Sequence, residues 1–251
     1  MDSAVVPGLR AVGVDGYAGG WVAVELHGGE FVRAWCAGTL ATLLGQVPAD
    51  AVGVDMPLGL LGSGWRSADL HAAAALGARR SSVFRVAPRP VWAAGSHQEA
   101  SSLCRELTGA GLSMQAWRLG EKILEAEAYR ATGAHELFEV HPELVFAGLA
   151  GAPLRFAKKT WNGQAARRAL LAGVGIELPG DLGPAGVVPV DDVLDAAAVA
   201  WCADRIARDA AHHVPDPAIE HDELGRPIVI WYARRQPGTL AEPGGGSDQR
   251  R

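Results

Sequence analysis

The sequence predicts an α/β fold in which an antiparallel meander is followed by a helical crossover to a parallel strand. The letters AVGVD occur at 11–15 and again at 51–55, and each copy is a short β-type segment that runs into turn-forming residues. Two further β-type segments follow the first copy at hairpin spacing. A short helical pattern then precedes the second copy, and a helix between two strands permits a parallel connection.

Three β-type segments come first, and turns that contain glycine separate them. Strands are predicted at 11–14, 21–26 and 31–37, and both turns are short enough for hairpins. Thr39 can cap a short helix that extends through Gln46. This helix is the crossover that allows the second AVGVD segment to lie parallel to the first strand.

Both copies of the repeated segment end in an aspartate, Asp15 in the first and Asp55 in the second. Since neighbouring strands lie roughly 4.8 Å apart, two carboxylates at the ends of adjacent parallel strands are close enough to share metal ions. The alternative is that both are ordinary turn residues at strand ends. The repetition favours the metal site.

The middle of the chain, about 60–133, is predicted as a helical insertion over the site. Arg79 and Arg80 are candidates for phosphate binding, although cations near a helix C-terminus are also favourable with the helix dipole alone. A short extended piece is expected at 83–86. Helices are predicted at 67–78, 97–107 and 113–131.

A strand with polar side chains is predicted at 136–141, before Pro142. Strand alternation places Leu137, Glu139 and His141 on one face. A carboxylate beside an imidazole suits a metal ligand or a general acid and base. The alternative is an edge strand with a solvated polar face.

A local basic region follows in an otherwise acidic protein. Lys158 and Lys159 precede a helical segment that carries Arg167 and Arg168. These side chains suit phosphate binding, and they are also consistent with a solvated helix face.

The last long helix is predicted from Asp191 to about Ala211. Asp191 and Asp192 in its first turn are favourable with the helix dipole and need no functional explanation. Asp195 lies in line with Val199 on the stripe that should pack against the sheet. An unpaired carboxylate there must be ion-paired, hydrogen-bonded or bound to a cation. Asp192 is on a neighbouring part of that face and could join a metal site. The alternative to a metal site is that a nearby backbone group or arginine satisfies the Asp195 carboxylate.

Composition limits the class of protein. The chain has 251 residues, 49% of them hydrophobic, which fits one large soluble domain. A net charge of -5 disfavours a protein that coats nucleic acid nonspecifically. The sequence shows neither a signal-peptide pattern nor a membrane span. Its three dispersed cysteines indicate a reducing cytoplasm.

Taken together, these motifs resemble the ribonuclease H-like superfamily, and more closely the family known as domain of unknown function 429, whose members are predicted RNase H-fold nucleases. The similarity covers roughly 12–232. It rests on GVD at 13–15 with GW at 20–21, VDMPLG at 54–59, RRSSVF at 79–84, EVHPE at 139–143 and DDVLDA at 191–196.

The resemblance implies a mixed five-stranded sheet, with three antiparallel and two parallel strands, and helices on both faces. It also implies a metal-dependent nuclease in which Asp15, Asp55 and Asp195 hold two Mg²⁺ or Mn²⁺ ions about 3.5 to 4 Å apart. Glu139 could complete the group, and His141 could orient water or protonate the leaving group. The substrate would be nucleic acid or a nucleotide, and the domain would extend over 9–235.

Two other classes of function remain open. The turn at 15–20 also resembles the phosphate-binding turn of sugar kinases and actin-like ATPases, but those proteins need two such lobes and this chain has one. The other class is a binding or regulatory protein that keeps the fold without turnover. After a predicted strand at 228–232, residues 236–251 are expected to be a flexible tail.

Overall fold

The computed structural model describes residues 8–45 and 47–235, and a five-stranded mixed sheet lies at their centre. The predicted tail at 236–251 and Gln46, the predicted end of the first helix, lie outside the described residues. No helix in the described part of the chain has the length and apolar character needed to cross a membrane.

The sheet has the strand order β3-β2-β1-β4-β5. β1, β2 and β3 are antiparallel neighbours, whereas β4 is parallel to β1 and β5 is parallel to β4. The predicted α/β class and mixed five-stranded sheet are therefore confirmed. The strands are β1 (Arg10–Tyr17), β2 (Gly20–His27), β3 (Glu30–Ala37), β4 (Ala51–Asp55) and β5 (Leu137–Glu139), and a separate two-stranded ribbon contains β6 (His212–Val214) and β7 (Ile230–Tyr232).

The register of the parallel strands fixes what can meet at the carboxyl edge of the sheet. Asp15 of β1 pairs with Asp55 of β4, so the two copies of AVGVD are aligned residue by residue. In the next pair, Glu139 of β5 lies opposite Val54. Because side chains alternate along a strand, Glu139 shares a face with Val54 and not with Asp55.

Eight α-helices occur in the described residues. They are α1 (Leu40–Leu44), α2 (Ser67–Leu76), α3 (His97–Thr108), α4 (Met114–Arg118), α5 (Gly120–Ala131), α6 (Pro142–Ala150), α7 (Trp161–Ala172) and α8 (Val190–Ala207). The Thr39 side chain caps α1 by accepting a hydrogen bond from the Thr42 backbone N–H at 3.1 Å.

The prediction of one helix over 113–131 is wrong, because the segment is divided into α4 and α5 at Leu119. A Cβ atom on Gly120 would lie 2.8 Å from the indole ring of Trp92. The glycine lets the chain pass close to this ring, and glycine is a poor helix former. The piece at 83–86, predicted to be extended, pairs with no strand; its Val86 backbone N–H donates to Asp69 instead.

Two hydrophobic layers cover the two faces of the sheet. Val12, Val14, Val52 and Val54 pack on one face with residues of α1, α3 and α5, so most of the insertion helices between β4 and β5 cover that face. The other face packs against α8, and α6 and α7 pack in turn against α8 in the same hydrophobic cluster. Gly13 lies under α8, and a Cβ atom there would be 2.0 Å from the Ala200 backbone nitrogen. The absence of a side chain allows α8 to lie directly on β1.

Candidate metal centre

Three carboxylates from three separate elements meet at the carboxyl edge of the sheet. Asp15 ends the buried part of β1, Asp55 ends β4, and Asp195 lies in the second turn of α8. One oxygen of each lies within 4.8 Å of the others. Asp15 and Asp195 are buried, with 5% and 2% of their surfaces exposed. This group, called the aspartate triad below, could hold a metal ion.

Close contact between the sheet and α8 builds the triad. Gly13 and Gly53 lie on the same sheet face as the two strand-end aspartates. A Cβ atom on Gly13 would be 2.2 Å from the Ala196 carbonyl oxygen, and one on Gly53 would be 2.8 Å from the Val199 side chain. Since both positions lack a side chain, α8 approaches the strands closely enough to bring Asp195 over their ends.

Burial and mutual repulsion oppose ionisation of the triad. Burial raises the pKa of Asp55 to about 8, and the nearby charge of Asp195 acts in the same direction. Burial, followed by the charge of Asp55, raises the pKa of Asp15 well above its ordinary value. Burial also raises the pKa of Asp195, to about 6, although Lys158 partly offsets the increase. A bound cation would relieve this repulsion.

Lys158 provides a counter-charge inside the site. Its Nζ donates a 2.6 Å hydrogen bond to Asp195 Oδ2 and lies 3.8 Å from Asp191 Oδ2. Burial alone would lower the pKa of Lys158, but the charges of Asp195 and Asp15 outweigh this effect and raise the pKa. The predicted phosphate-binding lysine is therefore bound to carboxylates in this structure.

The donor atoms fit a hard divalent cation. Asp195 Oδ1 is buried and has no hydrogen-bond partner among the described residues, so it is available as a ligand. The triad offers only carboxylate oxygens, which Mg²⁺ and Mn²⁺ accept. Asp192 stands further out, half-buried, with Oδ1 4.0 Å from Lys158 Nζ, and does not belong to the group of three. Asp191 is the more buried of the two, with 5% exposure.

Glu139 does not join the aspartate triad. It lies on the insertion face of the sheet, where Oε1 accepts a 2.7 Å hydrogen bond from the Arg66 guanidinium. Oε2 accepts a 2.9 Å bond from the same guanidinium and a 2.7 Å bond from the Leu58 backbone N–H. The expectation that Glu139 completes the metal site is corrected, because the register turns its side chain toward Arg66.

Arg66 is a buried residue of the site region that sequence reasoning missed. It is 1% exposed and binds Asp69 as well as Glu139, and it donates a 3.1 Å bond to the Leu58 carbonyl. In the sequence, Arg66 and Asp69 look like an ordinary surface pair at the start of a helix. Their partner Glu139 is distant in the chain, so local spacing gave no signal.

His141 lies in the same cavity but not on the strand. β5 ends at Glu139, and His141 is the residue that precedes the first turn of α6. Its Nε2 lies 3.3 Å from the Ser82 carbonyl oxygen, and its Nδ1 is buried without a hydrogen-bond partner in residues 8–45 and 47–235. Burial lowers the pKa of His141, which favours the neutral imidazole at pH 7.

A cavity of about 440 Å³ connects these groups. Arg79 lies in its wall, where Nε donates to the Leu154 carbonyl at 2.8 Å. One terminal nitrogen of Arg79 is buried and has no hydrogen-bond partner in the part of the chain that the structure describes. Arg80 and Lys159 are exposed and lie outside the cavity lining. The lining includes Asp15, Asp55, Asp195, Lys158, His141, Arg79, Ser81, Ser82, Phe84, Gln115 and Leu119.

The possible role of Arg167 in a basic surface is ruled out by its burial. Its side chain is 0% exposed, forms a close ion pair with Glu143 and lies over the ring of Phe146 at 5.1 Å. Arg168, the next residue, faces solvent. Successive helix positions point about 100° apart, so only one of two adjacent arginines can face the core.

A family model described as protein of unknown function (DUF429) matches residues 13–220. The chain belongs to this family. No curated protein matches the chain, and no solved structure matches it.

The DUF429 match contains the whole aspartate triad together with Lys158, His141 and Arg66. It also contains Lys122, a second cation that sequence reasoning missed. Lys122 Nζ donates a 2.6 Å bond to the Gly20 carbonyl and lies over the Trp21 ring at 4.4 Å. Burial lowers the pKa of Lys122, and the charges of Glu125 and Asp15 oppose that effect. The lysine therefore adds positive charge beside β1.

Proposed function

We propose that this DUF429 protein is a metal-dependent nuclease that hydrolyses phosphodiester bonds, with Mg²⁺ or Mn²⁺ held by Asp15, Asp55 and Asp195. The observation that carries the proposal is the convergence of three carboxylates from β1, β4 and α8 within 4.8 Å at a cavity. Such a concentration of buried negative charge is costly without cations. Perturbed acids of this kind in a cleft are typical of functional sites.

The three aspartates would bind the metal in their ionised forms, which the cation itself would favour. Bound divalent ions in such sites activate water and stabilise the leaving oxygen of a phosphodiester. Asp195 has one oxygen bonded to Lys158 and one without a partner. The oxygen without a partner would be the one offered to a cation while Lys158 holds the other.

Lys158 would change partners when the metal binds. A divalent cation beside Asp195 repels the ammonium group, which is attached to a flexible four-carbon side chain. Lys158 is itself part of the cavity wall, so the released ammonium would remain near the phosphate that enters. Its predicted role in phosphate binding therefore belongs to the metal-loaded protein.

His141 and Arg79 would act on the substrate side of the cavity. Neutral His141 has an unpartnered Nδ1 that can accept a proton or a hydrogen bond from water. Arg79 has an unpartnered terminal nitrogen that can donate to a phosphate oxygen. Both side chains line the cavity that the aspartate triad lines.

The test is Mn²⁺-dependent cleavage of a panel of single-stranded, duplex, hybrid and branched nucleic acids. Asp15→Asn and Asp195→Asn should each reduce cleavage by more than the roughly 10- to 100-fold loss typical of residues outside the metal ligands. Asp216→Asn changes an exposed carboxylate away from the cavity and should leave the rate unchanged. Circular dichroism would establish that the variants are folded. Absence of cleavage on every substrate, with Mn²⁺ binding that requires Asp15, would overturn the proposal.

A further inference from the structure

An exposed tryptophan begins α7, close to the cavity. Trp161 is 86% exposed, whereas the other seven tryptophans, all in the described part of the chain, are buried or partly buried. Phe156, five residues earlier, is 38% exposed. Tryptophan rings are usually well buried. Exposed tryptophans are enriched at binding surfaces.

The chain between these two rings forms part of the cavity wall. Ala157 and Lys158 both line the cavity. Three residues span at most about 11 Å, so the Trp161 backbone lies within that distance of Lys158. The start of α7, which carries the exposed ring, therefore lies close to the part of the cavity wall that Ala157 and Lys158 form.

The segment is held firmly against its helix. The Thr160 hydroxyl caps α7 by accepting a 3.1 Å bond from the Gly163 backbone N–H. A Cβ atom on Gly163 would lie 1.9 Å from the Ala157 carbonyl oxygen, so the chain packs directly on the first turn. Trp161 is thus fixed relative to Lys158, and its exposure does not come from a loose loop.

Exposed basic residues flank the two rings in the chain. The Arg155 guanidinium lies over Phe156 at 5.5 Å, and Lys159 is exposed between the rings in sequence. Arg168 is exposed seven residues after Trp161, which places both on one side of α7. Arg155, Phe156, Lys159, Trp161 and Arg168, called the aromatic-basic strip below, are a local positive surface in a protein of net charge -5.

A single strand of nucleic acid fits this surface better than a duplex does. Proteins that bind single strands combine cations along the backbone with aromatic rings on which bases stack, and a duplex keeps its bases stacked inside. The cavity of about 440 Å³ has the size of a small-ligand pocket, and Phe84 and Leu119 of the insertion are among the residues that line it. It can take a nucleotide unit from a strand more readily than a double helix.

We infer that the aromatic-basic strip is a binding subsite for single-stranded nucleic acid, with a base stacked on Trp161 and the backbone leading past Lys158 into the cavity. The inference rests on the proposed nuclease function, which gives the protein a reason to bind a nucleic acid strand. Binding of the strand itself requires no hydrolysis. It assigns the substrate class as single-stranded DNA or RNA.

The test is fluorescence anisotropy of labelled 12-nucleotide single strands with the full-length protein in EDTA, which prevents metal-dependent cleavage. Base stacking is worth about 1 to 3 kcal/mol per base, so Trp161→Ala should weaken binding about 5- to 150-fold. Trp161→Phe should recover most of the loss because it keeps a ring. Leu224→Ala removes an exposed apolar side chain outside the cavity lining and should have no effect.

The outcomes separate this inference from the proposed nuclease activity. Single-strand binding that depends on Trp161, in a protein that cleaves nothing with Mn²⁺, would support the subsite and overturn the nuclease. Mn²⁺-dependent cleavage with unchanged binding in Trp161→Ala would overturn the subsite alone. Tighter binding of duplex than of single strands, or no binding of any oligonucleotide, would also overturn it, and the strip would then be better explained as a protein-binding surface.

Discussion

At the scale of single residues, Arg66 supplies the positive charge that neutralises a second group of buried acids, Asp69 and Glu139. It is held between Asp69 and Glu139, and all three side chains are nearly inaccessible to solvent. The Leu58 backbone contributes both a donor to Glu139 and an acceptor for Arg66. The network therefore fixes the chain just after β4, next to Asp55.

Arg66→Met should destabilise the protein by about 3 to 5 kcal/mol, because it leaves two buried carboxylates without their cation. Urea denaturation at pH 7 measures the change. Arg118→Met is the matched control: Arg118 is exposed, and its replacement should alter stability by less than about 0.5 kcal/mol. Equal effects of the two substitutions would show that Arg66 is not essential to the buried network.

The sequence marked each member of the aspartate triad, and the family resemblance grouped them, but their surroundings were not predicted. Asp15 and Asp55 were marked by a repeated strand motif, and Asp195 by its place on the apolar stripe of a helix. Glu139 was expected to complete the same group, and this expectation failed. Alternation within one strand does not show which residues of the neighbouring strand share a face with Glu139. That information lies in the register between β4 and β5, which is a property of the folded sheet.

At the scale of elements, the contact between β1 and α8 determines whether the triad forms. Gly13 is the closest point, since a Cβ there would be 2.0 Å from one backbone atom of α8 and 2.2 Å from another. Neither atom belongs to a flexible side chain that can move aside. The strand or the helix must shift to accept any larger residue.

Gly13→Ala should therefore destabilise the protein by at least about 1 to 3 kcal/mol and weaken Mn²⁺ binding, because it displaces Asp195 from the two strand ends. Calorimetric titration with Mn²⁺ and urea denaturation measure the two effects. Gly180→Ala provides the control, since a Cβ atom at Gly180 would have no neighbour within 4 Å. Unchanged Mn²⁺ affinity in a folded Gly13→Ala protein would contradict this account of the site.

Most elements could be predicted from sequence because local patterns determine them. The three-stranded meander, the crossover helix and the parallel fourth strand follow from apolar alternation, turns and a cap, and all are present. The division between α4 and α5 was not predicted; Gly120, the first residue of α5, packs against the ring of Trp92 from another part of the insertion, a contact that the local pattern does not show. Arg167 was likewise placed among surface cations, and only the packing of α7 shows that it is buried.

At the scale of the whole molecule, the triad makes stability depend on pH and on metal. The pKa of Asp55 is about 8 in the folded protein, above the roughly 3.9 of an unfolded aspartate. The folded state then binds a proton that the unfolded state has released, so this contribution is fully present below about pH 4 and is lost as pH rises through about 8.

The free energy of unfolding of metal-free protein should fall between pH 5.5 and 8, and it should fall less steeply in Asp55→Asn. The slopes of unfolding free energy against pH should differ between the two proteins by at most about 1.4 kcal/mol per pH unit. Urea denaturation in EDTA at several pH values measures it, and excess Mn²⁺ should stabilise the wild type far more than the variant at pH 8. Parallel pH profiles, with equal stabilisation by Mn²⁺, would contradict the assignment of Asp55 to the site.

The origin of Asp195 in α8, far along the chain from β1, also has a consequence for biosynthesis. Domains begin to fold from the N-terminus while the ribosome is still translating them. A nascent chain can pair β1 with β4 early. It then holds the two repelling carboxylates of Asp15 and Asp55 and lacks that of Asp195. The hydrolytic centre we propose would therefore be completed only when α8 emerges, more than a hundred residues after β1 and β4. Prematurely terminated chains that end before α8 would carry no such activity.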